Sequence, residues 1–240
     1  MNPYLLLWLE APLQAWGHDS KFGRRDSLDF PTKSGVLGLL CCARGAGGKE
    51  CDWLAAWADL DMQLEAFVPT DRRGQPLPRE SLLRDFHMVG SGYDDRDPWQ
   101  NLMIPKTSEG KKAVGGGTKM TYRYYVQDMA YAVAIEVPAE QVEETVAALK
   151  APVWDVYLGR KNCVPTEFLF QGVHDNAEAA LAAGRRLAET KTRCFALRVV
   201  QGEHDGEVLT LNDVPLQFGA NKQYRDRRVT VQRREPGDVG

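Results

Sequence analysis

The stretch LLRDFHMVGSGYDDRDPWQNLMIPKTSEGKKAVGGGTKMTYRYYVQDMAYAVAIEV, residues 82–137, decides how this chain is read. It opens with a strand-like run, Leu82–Val89, and closes with a longer one, Thr121–Val137, dominated by β-branched, aromatic and apolar residues. The interval Met88–Thr121 carries Gly90, Gly92, Pro98, Pro105, Gly110, the triplet Gly115–Gly117 and the cations Lys106, Lys111, Lys112 and Lys119. Compact domains join their elements with about 4–6 residues, and longer structureless loops are usually functional or disordered. Such an interval between two strands is either slack or an arm that reaches a partner.

The flanking chain supplies a frame. Tyr4–Leu9 is a continuous apolar run, as expected of a strand covered on both faces. Two loops follow, Ala11–Gly17 and His18–Asp29, and Thr32 then caps a helix with Val36, Leu37, Leu39, Leu40 and Ala43 on its apolar face. A short helix at Glu50–Leu60 and an alternating strand at Met62–Val68 precede the turn-rich segment Thr70–Pro78. After the decisive stretch, Ala139–Lys150 has helical spacing behind Pro138. The order β-α-β-β-α with a long β-β insertion predicts an α+β chain whose N-terminal domain, residues 1–152, is ferredoxin-like (RRM-like), with a thumb insertion at about 88–121. Residues 153–240 read as a smaller, mostly β C-terminal region, with a helix at Asn176–Glu189 and strands at Cys194–Val200, Val208–Leu211 and Val229–Val231.

Composition excludes several classes. The 240 residues, 43% hydrophobic, suffice for a real core, and 30 basic against 33 acidic residues leave a net charge of −3. Charge is local instead: Lys106–Tyr125 holds five cations against Glu109, and Asn221–Arg234 holds six against Asp226. Five cysteines without a C-x-x-C pair argue against a zinc site and a secreted disulfide framework, so a reducing cytoplasm is the expected compartment. Met1–Trp8 is too short for a membrane span and lacks the basic start of a signal peptide.

No cofactor or metal is expected. Gly110 and Gly115 have P-loop spacing, but Gly116 stands where the lysine belongs. Asp94, Asp95 and Asp97 lack the later ligands of a calcium loop, and the four histidines are scattered. Aromatics and cations interleave at Tyr122, Arg123, Tyr124 and Tyr125, and again at Tyr224, Arg225, Arg227 and Arg228. Aromatic faces stack on unpaired bases while cations hold phosphates, which predicts an RNA-binding surface; plain strand alternation is the competing reading. His87, with Tyr124 or Lys119, also offers the base and cation that metal-independent RNA cleavage requires.

Four runs carry a family resemblance: PLQAWG (residues 12–17), FPTKSGVLGLL (30–40), RDFH (84–87) and YLGRKNC with Pro165 (157–165). In order and spacing they resemble the CasD family, subunits of the type I-E CRISPR Cascade complex. The resemblance implies an RRM-like domain with a β-hairpin thumb that binds the 5′ handle of crRNA. It implies as partners the repeated backbone subunit and the large PAM-reading subunit, with target DNA met indirectly and no membrane. A separate subunit processes crRNA in this subtype, so the implied role is a non-catalytic cap; relatives elsewhere cut repeat RNA, which keeps a metal-independent endoribonuclease as the alternative. Carried onto this chain, the RNA contacts are Gln14 and Trp16, Arg24 and Arg25, Thr32, Lys33 and Ser34 at a helix N-terminus, and Arg160 and Lys161. Trp16 reads equally as a core anchor and Lys33 also as a solvated first-turn residue. To these the basic arm adds His87, Lys106, Lys111, Lys112, Lys119, Tyr122, Arg123 and Tyr124.

Overall fold

The computed structural model describes residues 2–18, 20, 23–89, 96–99, 106–111 and 119–233. In chain order the elements are β1 (Tyr4–Glu10), β2 (Leu13–Gln14), β3 (Arg24–Arg25), α1 (Lys33–Arg44), α2 (Cys51–Trp57), β4 (Met62–Pro69), β5 (Leu83–Val89), β6 (Lys119–Gln127) and β7 (Ala130–Glu136). A 3₁₀ turn, Ala139–Gln141, leads into α3 (Val142–Lys150), followed by β8 (Phe170–His174), α4 (Ala177–Thr190), β9 (Arg193–Gln201), β10 (Glu207–Gln217) and β11 (Gln223–Arg233). None of these helices is long and apolar enough to cross a membrane.

A seven-stranded antiparallel sheet, β10-β11-β9-β4-β7-β1-β8, is the scaffold. β1 explains its own sequence: it lies between β7 and β8, and alternate residues enter two cores. Leu5, Leu7 and Leu9 face α1, α2 and α3 with Val36, Leu40, Trp57 and Leu149, whereas Leu6 and Trp8 join Ala132, Ala180 and Leu181 beneath α4. A strand covered on both faces has no solvent side, so every position from Leu5 to Leu9 is apolar. α4 approaches closely because its contact face is small; a Cβ on Gly184 would sit 2.4 Å from that of Ala132. Asn176 caps this helix by accepting from the Ala179 N–H at 2.9 Å.

The decisive stretch divides differently from its sequence reading. Thr121–Val137, read as one strand, is two strands in two sheets: β6 ends at Gln127, Asp128 turns the chain with φ 48°, and β7 enters the large sheet. Aspartate tolerates the left-handed region, so no glycine or proline punctuates this turn. β6 is the spine of the second sheet, pairing with β2, with β3 in parallel, and with β5 over seven residue pairs from Leu83↔Tyr125 to Val89↔Lys119. The strands flanking the long insertion therefore pair with each other, outside the large sheet. The boundary placed at residue 152 falls just after α3, and the chain beyond it returns to the same large sheet through β8 on β1 and β9 on β4.

Candidate nucleic-acid interface

Three of the four family-like runs meet in space. The Ala15 N–H donates to the Leu158 carbonyl at 3.0 Å, and Gly159, at φ 92°, lies so close to the Ala15 carbonyl that an added Cβ would be 1.7 Å from its oxygen. Gly35 abuts the indole of Trp16, where an added Cβ would come within 2.9 Å. Glycine is required at 159 by both the left-handed backbone and the close approach. A tight loop results, with Leu158 N–H donating to Cys163 O and Cys163 N–H to Arg160 O, each at 2.8 Å.

Burial removes several expected RNA contacts. Gln14 is fully buried; its amide donates to Met129 O (2.7 Å) and Leu9 O (3.3 Å) and accepts from the Trp16 indole N–H (3.2 Å). Trp16 is a core anchor, and neither side chain is presented to a base. Thr32 is buried and caps α1 through the Gly35 N–H. Lys33 is 1% exposed, and its Nζ donates to Ala58 O (2.9 Å) and Leu60 O (2.5 Å). Burial, followed by the Arg227 charge, lowers its pKa from 10.5 to about 8. The expected phosphate site at the helix N-terminus is filled from within, because the Lys33 N–H donates to Asp213 Oδ2 at 2.7 Å. Ser34, half-buried, donates from its hydroxyl to that of Thr32 at 3.4 Å.

Four of the other predicted residues, His87, Arg123, Arg160 and Lys161, converge. A cleft of about 460 Å³ is lined by His87, Arg123, Tyr157, Gly159, Arg160, Lys161 and Asn162. Arg160 is its brace: the guanidinium donates to Tyr124 O (3.0 Å) and Arg25 O (2.9 Å) and stacks 4.5 Å from the Tyr125 ring. That staples the 157–163 loop to β3 and β6. Arg123, on β6, and Lys161, in the loop, both line the cleft and form no ion pair among the described residues; Asp85, the cross-strand neighbour of Arg123, is taken up by His87. His87 is paired with Asp85 at 2.5 Å. Tyr157 and Asn162 were not singled out in the sequence, although both lie in the YLGRKNC run.

Strand alternation gives the β5–β6 ribbon two faces. His87 and Arg123 face the cleft, whereas Phe86 and Tyr122 stack 5.3 Å apart on the other side, with Arg84 over Tyr122 and Arg24 over Tyr124. The proposed partnership of His87 with Tyr124 is thus broken by alternation. Arg24 also pairs with Asp26 at 2.7 Å. Arg25 lies opposite Arg123 in the β3–β6 register. Lys106 and Lys111 are exposed, the latter beside Glu109 at 3.2 Å. Lys112 and the side chain of Lys119 lie outside the described residues.

Four cations of the second basic cluster are paired with carboxylates of this chain. Arg227 binds the Asp213 carboxylate with two bonds of 2.7 and 2.9 Å inside the fold. Arg225 pairs with Asp59 (2.5 Å), Arg228 with Glu203, and Arg233 with Asp29 and Glu207 (3.6 and 3.7 Å). Carboxylates distant in sequence offset four of the six cations that the linear count assigned to this segment; Arg234 lies outside the described residues. Among the described residues no group of three or more metal-ligating side chains comes together.

Known proteins share this architecture. The family described as CRISPR-associated protein (Cas_Cas5) matches residues 4–231. The chain is 30% identical over 178 residues, 72% of its length and 71% of the relative's, to "CRISPR system Cascade subunit CasD" of Escherichia coli (strain K12). A chain of a solved "CRISPR RNA-guided surveillance complex" is similar with a TM-score of 0.67 at 27% identity, covering 96% of this chain and 89% of that one. A second solved structure, "Crystal structure of Cas protein", has a TM-score of 0.60 at 23% identity over 96% and 94% of the two chains, and bears on the fold alone.

Proposed function

Because the chain belongs to the CasD/Cas5 family of CRISPR-associated proteins, we propose that it is a non-catalytic RNA-binding subunit of a type I-E Cascade surveillance complex, capping the 5′ handle of crRNA. The observation that carries this reading is the cleft between the β5–β6 ribbon and the 157–163 loop, where Arg123 and Lys161 form no ion pair among the described residues and the nearest ribbon carboxylate, Asp85, is bonded to His87. Unpaired cations beside a tyrosine and an asparagine suit a single-stranded backbone with a base to stack or read. In this reading the order β8-β1-β7-β4, with helical crossovers from β1 to β4 and from β7 to β8, is a ferredoxin-like core within residues 1–174. The β5–β6 ribbon is the base of the thumb. The repeated backbone subunit and the large PAM-reading subunit are the proposed protein partners, and target DNA is met through them.

The test is the salt dependence of handle-RNA binding. Each phosphate contact to a single strand contributes about 0.7 to the slope of log K against log salt. Arg123→Ala with Lys161→Ala therefore lowers that slope by about 1.4 and weakens binding. An unchanged slope removes the cleft from the RNA path.

One observation favours a second reading, a metal-independent endoribonuclease: His87, held by Asp85, shares the cleft with Arg123, Arg160 and Lys161. A histidine base beside clustered cations is what in-line attack by a 2′-hydroxyl requires. Repeat RNA incubated with the protein and EDTA separates the two readings. A defined cut that leaves a 2′,3′-cyclic end and is lost in His87→Ala establishes cleavage; intact RNA supports the binding cap.

A further inference from the structure

RNA in the cleft leaves unused a larger, apolar groove on the far side of the 157–163 loop. It lies between the C-terminal end of α3 and the segments 152–157 and 164–169, and has a volume of about 1080 Å³. Leu149, Leu169 and the half-buried Val156 line it deeply. Its rim is Val153, Trp154, Val164 and Phe168, exposed to 65, 47, 61 and 88%. Scattered exposed apolar residues need no explanation, whereas a contiguous set around a concavity marks a binding surface.

The wall is fixed before any partner arrives. The Val153 N–H donates to Ala43 O at 2.9 Å, and Trp154 lies against Gly47, where an added Cβ would come within 3.0 Å of the indole. A preformed groove loses little freedom on binding. Its charge is net positive: Glu167 is neutralised by Lys191, and Lys150 and Lys161, which meet no carboxylate among the described residues, outnumber Asp155.

We propose that this groove seats a short apolar segment, flanked by a carboxylate, from a different protein subunit. The deep lining of Leu149, Val156 and Leu169 offers no hydrogen bond to a base edge, so it suits an apolar side chain better than a base, and the aromatic rim of Trp154 and Phe168 makes RNA binding an outcome the test must read. A twofold contact with a second copy would bring two grooves together, each with Lys150 and Lys161 against Asp155 alone, and this excess of positive charge disfavours self-association. Tyr157 and Lys161 line both the groove and the RNA cleft, so the seated segment lies beside the RNA. Only this last point rests on the RNA-binding reading.

The test uses the full chain co-expressed with the remaining protein subunits and crRNA. Hydrogen exchange across 152–169 is compared between the free and assembled protein, and subunit composition is read by native mass spectrometry for wild type and Val164→Asp/Phe168→Asp. The expected result is at least fivefold slower exchange on assembly, loss of one protein subunit from the variant complex, and free-chain RNA affinity within twofold of wild type. Unchanged exchange, or a variant complex of full composition, overturns the proposal. So does a wild-type self-association abolished by the variant, which assigns the groove to a second copy, or a loss of RNA affinity, which assigns it to nucleic acid. Arg123→Ala, which touches the cleft and not the groove, is measured alongside, so that failure of the RNA reading and of the groove proposal register separately.

Discussion

Replacing Lys33 by methionine separates what the sequence suggested from what the fold does with this residue. The ammonium is 1% exposed and held by two backbone carbonyls. Burial and Arg227 lower its pKa to about 8, against the partial opposition of Asp213, Asp61 and Asp59. The unfolded chain keeps the ordinary lysine value of about 10.4. Between those two values the unfolded state binds the proton that the folded state has released, so stability rises with pH, and below about 8 the cost of the buried charge is fully in place. From pH 7 to pH 9.5 this linkage amounts to about 2 kcal/mol. Cys41 works in the opposite direction: burial raises its thiol pKa to about 12, so the unfolded chain ionises first above pH 9 and roughly 1 kcal/mol is lost by pH 9.5. A single pH profile blends the two, whereas the difference between wild type and Lys33→Met isolates the lysine. Urea unfolding of both proteins at pH 7.0 and 9.5 is expected to give wild type a gain about 2 kcal/mol larger than the variant's. RNA affinity at neutral pH is expected to stay within twofold, because Lys33 faces the interior. Equal pH dependence in the two proteins would refute the buried ammonium. A tenfold loss of RNA affinity in a folded variant would refute the claim that Lys33 does not touch RNA.

Gly159→Ala places a Cβ 1.7 Å from the Ala15 carbonyl oxygen at φ 92°, so a loss of about 3 kcal/mol or more is expected in thermal unfolding; an unchanged midpoint contradicts the packing described. Asp213→Ala strands the buried Arg227 and releases the α1 N-terminus, with an expected cost of about 3–5 kcal/mol in denaturant titration, whereas a neutral effect would mean that water replaces the carboxylate. Arg225→Ala and Arg228→Ala each remove one exposed ion pair, so stability changes by less than about 1 kcal/mol and handle-RNA affinity is unchanged; a large affinity loss restores the C-terminal basic cluster as an RNA site.

Elements whose signals are local were legible. Thr32 marked the start of α1 and Asn176 that of α4, and the unbroken apolar run of β1 announced a strand buried on both faces. What escaped was set by distant partners. β8, short and at the sheet edge, carries Gly172 and no alternation, and nothing near Asp128 warned that one apolar run would serve two sheets. The site divides in the same way. Arg123, Arg160, Lys161 and His87 were named from the sequence and do come together. Gln14, Trp16, Thr32 and Lys33 were named from the same kind of pattern, but their polar atoms bond inside the fold. A linear charge count registers Arg225, Arg227 and Arg228 and misses Asp59, Asp213 and Glu203, which neutralise them from other segments.

RNA is proposed to lie in the cleft between the β5–β6 ribbon and the 157–163 loop. Photocrosslinking of handle RNA carrying 4-thiouridine, followed by mass-spectrometric mapping of the attached peptides, tests it directly. Crosslinks are expected to concentrate at Tyr157–Asn162 and Arg123–Tyr125 and to fall with competing unlabelled handle RNA. Crosslinks concentrated instead on β11, at Gln223–Arg233, or none that competitor RNA displaces, would contradict it.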